Sequence, residues 1–179
     1  MEVHDIIQSL ISCGALRTGE FQLQDGSIVD EWYFPVKAFQ YPPLCRKLAF
    51  EIVNHFLDMD VQVVIAARIG AIPFATEIAR QLEARLLWSD HGGSVFYPEL
   101  AIHSGDRAII IDDILMDDIQ PYKQVGREIL QQDARLIGIG ALIDLSMRKT
   151  PLNVRQISVL KREMTFIESL QPLILPQRT

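Results

Sequence analysis

A change of period along the chain restricts its fold more than any other feature. Residues 61–67, 107–111 and 134–143 are aliphatic runs of strand length. Between them lie helix-spaced segments of about ten residues, 73–83 and 121–132, each opened by a proline, Pro73 and Pro121. Proline suits a first helical turn, where its missing N–H has no intrahelical partner. Aliphatic runs that do not alternate with polar residues belong to strands covered on both faces. Strands alternating with helices therefore predict an α/β domain with a central, mostly parallel sheet flanked by helices. Ligands of such sheets sit beyond the carboxyl ends of the strands. That directs attention to residues 68–72, 91–93 and 112–120.

The flanks fit around this core. A helix from Asp5 is expected to end near Gly14. Residues 19–30 suggest a short strand and a turn at Asp25-Gly26, and the aromatic-rich 31–39 a second short strand. Pro42-Pro43 opens a helix to about residue 57, with Leu44, Leu48, Ile52 and Phe56 on one face. A further β-like run, 154–160, is expected at a sheet edge.

At 179 residues the chain has the length of one domain. Its 17 basic and 23 acidic residues leave a net charge of −6, which argues against broad binding to nucleic acid or a membrane surface. Two cysteines are too few for a disulfide scaffold or a paired-cysteine zinc site. The first residues lack the basic start of a secretory signal, and no apolar run approaches a membrane span. A cytoplasmic location is the expectation.

Asp112 and Asp113 close a buried aliphatic run. Two carboxylates there can grip a sugar diol or a hydrated magnesium ion; equally, one can cap the next turn while the other is solvated. The surrounding stretch, Ile109-Ile110-Ile111-Asp112-Asp113-Ile114, resembles the start of the phosphoribosyl-pyrophosphate (PRPP) motif of type I phosphoribosyltransferases. More specifically the chain resembles orotate phosphoribosyltransferases. Gly19, Phe21, Leu23 and Gly26 are similar to that family's GxFxLxSG segment, and Phe39-Gln40-Tyr41-Pro42 to its FQYP stretch. Ile69-Gly70-Ala71-Ile72 resembles its pyrophosphate loop, and Leu142-Ile143-Asp144-Leu145-Ser146 its (V/I)DRS segment. The run 173–178 is similar to its closing PLVKPGSR.

The resemblance implies a type I phosphoribosyltransferase fold with a small N-terminal hood. It implies one domain over 1–179, with the hood at about 1–40, the core at about 41–150 and a C-terminal strand and tail at 151–179. A homodimer is implied, as are PRPP and orotate as ligands and a place in pyrimidine nucleotide metabolism. Asp112, Asp113, Arg68, Ile69, Gly70 and Ala71 become the expected ligand-binding residues, and magnesium is implied at Asp112 and Asp113.

The departures from the family pattern are chemically pointed. Where relatives carry a Thr-Thr-Gly-Gly-Ser-like loop that binds the 5′-phosphate through amides and hydroxyls, this chain has Met116-Asp117-Asp118-Ile119-Gln120. A phosphate of charge near −2 held ~5 Å from one carboxylate is opposed by about 7 kcal/mol at an effective dielectric of 20, and by about 2 kcal/mol in bulk water. Asp117 or Asp118 is a candidate cap for the helix opened by Pro121, its carboxylate taking amides that bind phosphate in relatives.

In the pyrophosphate loop Ala67 replaces a proline, Ala71 a glycine, and Arg68 a small residue, which makes Arg68 a candidate partner for an anion or for Asp112 or Asp113. The basic loop of active relatives gives way to Trp88-Ser89-Asp90-His91-Gly92-Gly93. There His91 is the one candidate catalytic group, and histidine is largely neutral at pH 7.

Three functions stay open at this point: a homologue that has lost or strongly weakened PRPP-dependent transfer and acts by binding or regulation; a working enzyme making orotidine monophosphate and pyrophosphate; and an enzyme repurposed for a metal-bound ligand without a 5′-phosphate. The first is the favoured reading.

Overall fold

The computed structural model describes residues 1–23, 25–88, 101–147 and 152–167. Helix α1 (Val3–Ser12) turns its apolar stripe inward through Ile6 and Leu10. It ends where Gly14 takes a left-handed φ of +71° and the Ala15 N–H bonds back to the Leu10 carbonyl, a termination that glycine makes without steric cost. Strands β1 (Leu16–Gln22) and β2 (Ile28–Tyr33) form an antiparallel hairpin. Helix α2 (Val36–Phe39) and helix α3 (Pro42–Val53) follow. Then come β3 (Val63–Ala66), α4 (Ile72–Leu82), β4 (Arg85–Trp88), β5 (Arg107–Leu115) and α5 (Gln120–Gln131). The described chain closes with β6 (Arg135–Asp144), β7 (Arg155–Lys161) and β8 (Phe166–Ile167).

Among the described residues there are two sheets. The larger runs β4-β3-β5-β6-β7, and every pairing in it is parallel. Its strands alternate their side chains between two cores. Val64, Ala66, Ile109 and Ile111 pack under α3 and α4, while Val63, Ile65, Ala108 and Ile110 pack under α5 through Tyr122, Val125 and Ile129. Burial on both faces is why these strands read as unbroken aliphatic runs. Helix α3 and the residues just after it lie very close to β6: a Cβ added at Gly138 would stand 2.5 Å from Phe56 Cε1, and one at Gly140 3.0 Å from Ile52 Cγ2. The smaller sheet, β1-β2-β8, is the hood, and it recruits residues 166–167 from the far end of the chain. Arg162, just after β7, reaches it with charge-assisted bonds to Glu31 and a contact to the Tyr33 hydroxyl.

Several sequence expectations need correction. Residues 31–39 are not one strand: β2 stops at Tyr33, and after Pro35 the chain turns into α2, whose Ala38 and Phe39 are buried. The first hairpin strand starts at Leu16 rather than at residue 19. The helix opened by Pro42 ends at Val53, not near residue 57; a short 3-10 turn, Leu57–Met59, follows. Most consequential, β5 does not stop before Asp112 but runs on to Leu115, paired with β6 as far as Asp144. No helix among the described residues is long and apolar enough to cross a membrane.

Candidate functional site

The carboxyl ends of β3, β5 and β6 meet in one place. Beyond β3, the Ala67 N–H bonds to the Ile111 carbonyl, and a 3-10 turn, Ile69–Ala71, leads into α4. This turn brings Arg68 over β5. One guanidinium nitrogen, Nη1, donates to Asp112 Oδ2 at 3.0 Å and to the Ile114 carbonyl at 3.2 Å. The Arg68 guanidinium carbon also lies 5.8 Å from the centre of the Tyr122 ring, within cation–π range. The Tyr122 hydroxyl donates to the same Asp112 oxygen, and the other oxygen, Oδ1, accepts the Asp113 N–H at 2.8 Å.

Asp112 is completely buried. Burial pushes its carboxyl up to about 7, and contact with Asp113 adds to the rise; Arg68 and the Tyr122 hydroxyl pull the other way. Burial also raises the Tyr122 phenol, helped by the neighbouring Asp112. For Arg68 burial works against the charge, yet Asp112, Tyr122 and Asp113 outweigh it and its pKa stands above the ordinary value. The arrangement is an Arg–Asp–Tyr cluster in which both oxygens of Asp112 are bonded and Arg68 engages through Nη1.

Asp113 points the other way along the strand. Its Oδ1 accepts the Ile114 N–H at 2.9 Å. Its Oδ2 lies beside Gly70, where an added Cβ would sit 2.8 Å away. A side chain at position 70 would push the Asp113 carboxylate from its place. Ile69 is half-exposed and Ala71 fully buried. Ala71 has φ −82°, ordinary helical backbone, so its side chain meets no strain there.

In the loop before α5 the two acids are divided. Asp118 Oδ1 accepts the Gln120 N–H at 3.1 Å, taking one amide at the helix start. Asp117 Oδ1 accepts the Met147 N–H at 3.1 Å and so ties this loop to the end of β6. Ile119 stands at the helix boundary with no side-chain cap, and Met116 is exposed. A cleft of about 680 Å³ opens here, lined by Arg68, Met116, Asp117 and Asp118 on one side and by Ser146, Lys161 and Phe166 on the other. Behind it Asp144 is buried and accepts bonds from the Ser146 N–H and hydroxyl, from Gln156 at 3.1 Å and from Lys161 at 3.4 Å.

The structure therefore brings together Arg68, Asp112 and Asp113, with Asp117 and Asp118 at the rim. His91 lies outside the described residues, as does the run 173–178. Sequence reasoning missed Tyr122. Its signal was the spacing Tyr122, Val125, Ile129 on the buried face of α5, which places a phenol rather than an aliphatic group under β5. It also missed Lys161 and Phe166, which reach the cleft only through pairings far apart in the chain.

The magnesium implied by the resemblance fits this donor set poorly. Both oxygens of Asp112 are already engaged, one of them by a cation, and no group of three or more metal-ligating side chains occurs among the described residues.

No family model matches the chain. The orotate phosphoribosyltransferase of Desulforamulus reducens is 27% identical over 163 residues, covering 87% of this chain and 82% of that protein. Among solved structures, the orotate phosphoribosyltransferase of Aeropyrum pernix superposes with a TM-score of 0.70 at 18% identity, over 87% of this chain and 93% of the other. The chain is similar in sequence to orotate phosphoribosyltransferases, and its fold is that of the type I phosphoribosyltransferases. The UMP synthase of Leishmania donovani superposes with a TM-score of 0.73 at 18% identity, but this chain spans only 36% of its length. The chain places its Arg68–Asp112–Tyr122 cluster at the carboxyl ends of the strands, where open α/β sheets hold ligands.

Proposed function

We propose that the protein is an orotate phosphoribosyltransferase homologue in which PRPP-dependent transfer has been lost or strongly weakened, and that it acts by binding. The observation that carries this reading is the closed state of Asp112. A carboxylate placed to grip a sugar diol holds the chain's own arginine and tyrosine instead. A ligand hydroxyl would have to displace a charge-assisted bond in a buried site, and such bonds are among the stronger ones. The rim supports the same reading: Asp118 has taken an amide at the α5 start with its own carboxylate, and Asp117 adds a second negative charge. On this reading the Asp118 carboxylate takes an amide that would otherwise serve a phosphate, and repulsion opposes the phosphate itself. The likeness to these enzymes also underlies a proposed homodimer.

Calorimetry with PRPP and magnesium, beside a coupled assay for orotidine monophosphate from orotate and PRPP, tests the proposal. The expected result is neither saturable heat nor turnover. Saturable formation of nucleotide and pyrophosphate would overturn it. Replacing Met116-Asp117-Asp118 by Thr-Thr-Gly is expected to restore some PRPP affinity and little turnover.

A further inference from the structure

The opposite end of the larger sheet carries a groove that the cleft does not explain. Arg107 and Arg135 open β5 and β6 and are register partners there. Lys123 and Arg127 stand four residues apart on α5. All of them line one groove of about 670 Å³, and its described lining contains no carboxylate. Like charges at both of these spacings repel. Among the described residues none of these cations is in an ion pair. This concentration of positive charge occurs in a chain of net charge −6.

The floor is apolar, with Leu130 at 70% exposure and Leu136 and Leu152 half-buried. Gly126, inside α5, lies on it. A Cβ at Gly126 would make only ordinary contacts, 3.8 Å to Leu136 and 3.9 Å to Leu152. Packing therefore does not demand glycine, although glycine is unfavourable in a helix interior. Gly126 is itself buried yet lines the groove, so its missing side chain keeps the floor low at that point.

We propose that this groove docks an acidic peptide segment of a partner protein, with one bulky apolar side chain seated over Gly126 and flanking carboxylates against Arg107, Lys123, Arg127 and Arg135. Charge complementarity selects the acidic partner. A nucleic-acid strand is disfavoured because the described lining offers no aromatic ring for base stacking. The groove lies at the amino ends of strands whose carboxyl ends hold the cleft, roughly 25 Å away along β5. Its occupancy is thus separable from PRPP binding.

The test is fluorescence anisotropy on the full chain with three labelled probes: a seven-residue peptide of glutamates around a central leucine, the same peptide with glutamines, and an oligothymidylate. Saturable binding of the glutamate peptide is expected, weaker by at least about tenfold for the glutamine peptide and for Arg127→Glu. Gly126→Leu is expected to abolish it, while Gly126→Ala, checked for folding by its melting curve, retains it. Lys123→Glu, on the same helix, provides a second charge reversal if Arg127→Glu folds poorly. The proposal is overturned if the glutamate peptide does not bind, if binding survives both charge reversals and Gly126→Leu, or if the oligothymidylate binds as tightly with the same dependence on these variants.

Discussion

Asp112 shows what a buried carboxylate does when its partners come from its own chain. Its folded pKa, raised by burial to about 7, exceeds the ordinary 3.8. Between about pH 4 and pH 7 the folded chain therefore holds a proton that the unfolded chain has released. The stability this group contributes is full below pH 4 and is lost as the pH rises through 7. Urea denaturation midpoints are expected to fall from pH 5 to pH 8, by an amount worth at most about 3 kcal/mol, and Asp112→Asn should remove most of that slope. A slope of equal size in the variant would assign it to other groups. Glu31 does not confuse the measurement, because its carboxyl, opposed by burial but held low by Arg162 and Tyr33, titrates below this window.

At the scale of elements, the seam between α3 and β6 is set by glycine. Gly138→Ala would press a methyl against Phe56, which is fully buried and cannot move aside. A loss of about 1–3 kcal/mol is expected from chemical denaturation. Gly126→Ala, placed against ordinary contacts in α5, should instead be neutral or gain up to roughly 1 kcal/mol. The elements themselves were largely legible. Unbroken aliphatic runs marked β3, β5 and β6 as doubly covered strands, and Pro73 and Pro121 marked the starts of α4 and α5. What misled was polarity taken as a stop signal. Asp112 and Asp113 looked like the end of a strand, yet β5 continues because Arg68, 44 residues earlier, and Tyr122, 10 residues later, satisfy the buried carboxylate. No local pattern announces a partner at that separation. Arg68 was legible as a partner for one of the two aspartates but not for which one, since successive residues of a strand face opposite ways. The aromatic run after Tyr33 failed for a related reason: Ala38 and Phe39 are buried by α3 and α4, and tertiary burial outweighed strand propensity.

At the scale of the whole molecule, the hood joins the main core through the buried side chains of Leu16 and Tyr33, and polar ties add to this. Arg162 binds Glu31 and the Tyr33 hydroxyl, and β8 adds only a short pairing to β2. Arg162→Ala is expected to speed hydrogen exchange in β1 and β2 while leaving β3, β5 and β6 protected, because local opening follows local contact density. Equal acceleration in both sheets would show that they open as one unit. The extension of β5 has the opposite effect at the other side of the cleft. Its last rungs, Ile114 with Ile143 and Leu115 with Asp144, are followed by the Leu145 N–H bonded to the Leu115 carbonyl. Backbone that is stitched in this way has no slack with which to wrap an incoming guest. On the proposed reading, exchanging side chains at Met116-Asp117-Asp118 leaves this stitched frame as it is, which is why some affinity and little turnover are expected of that exchange.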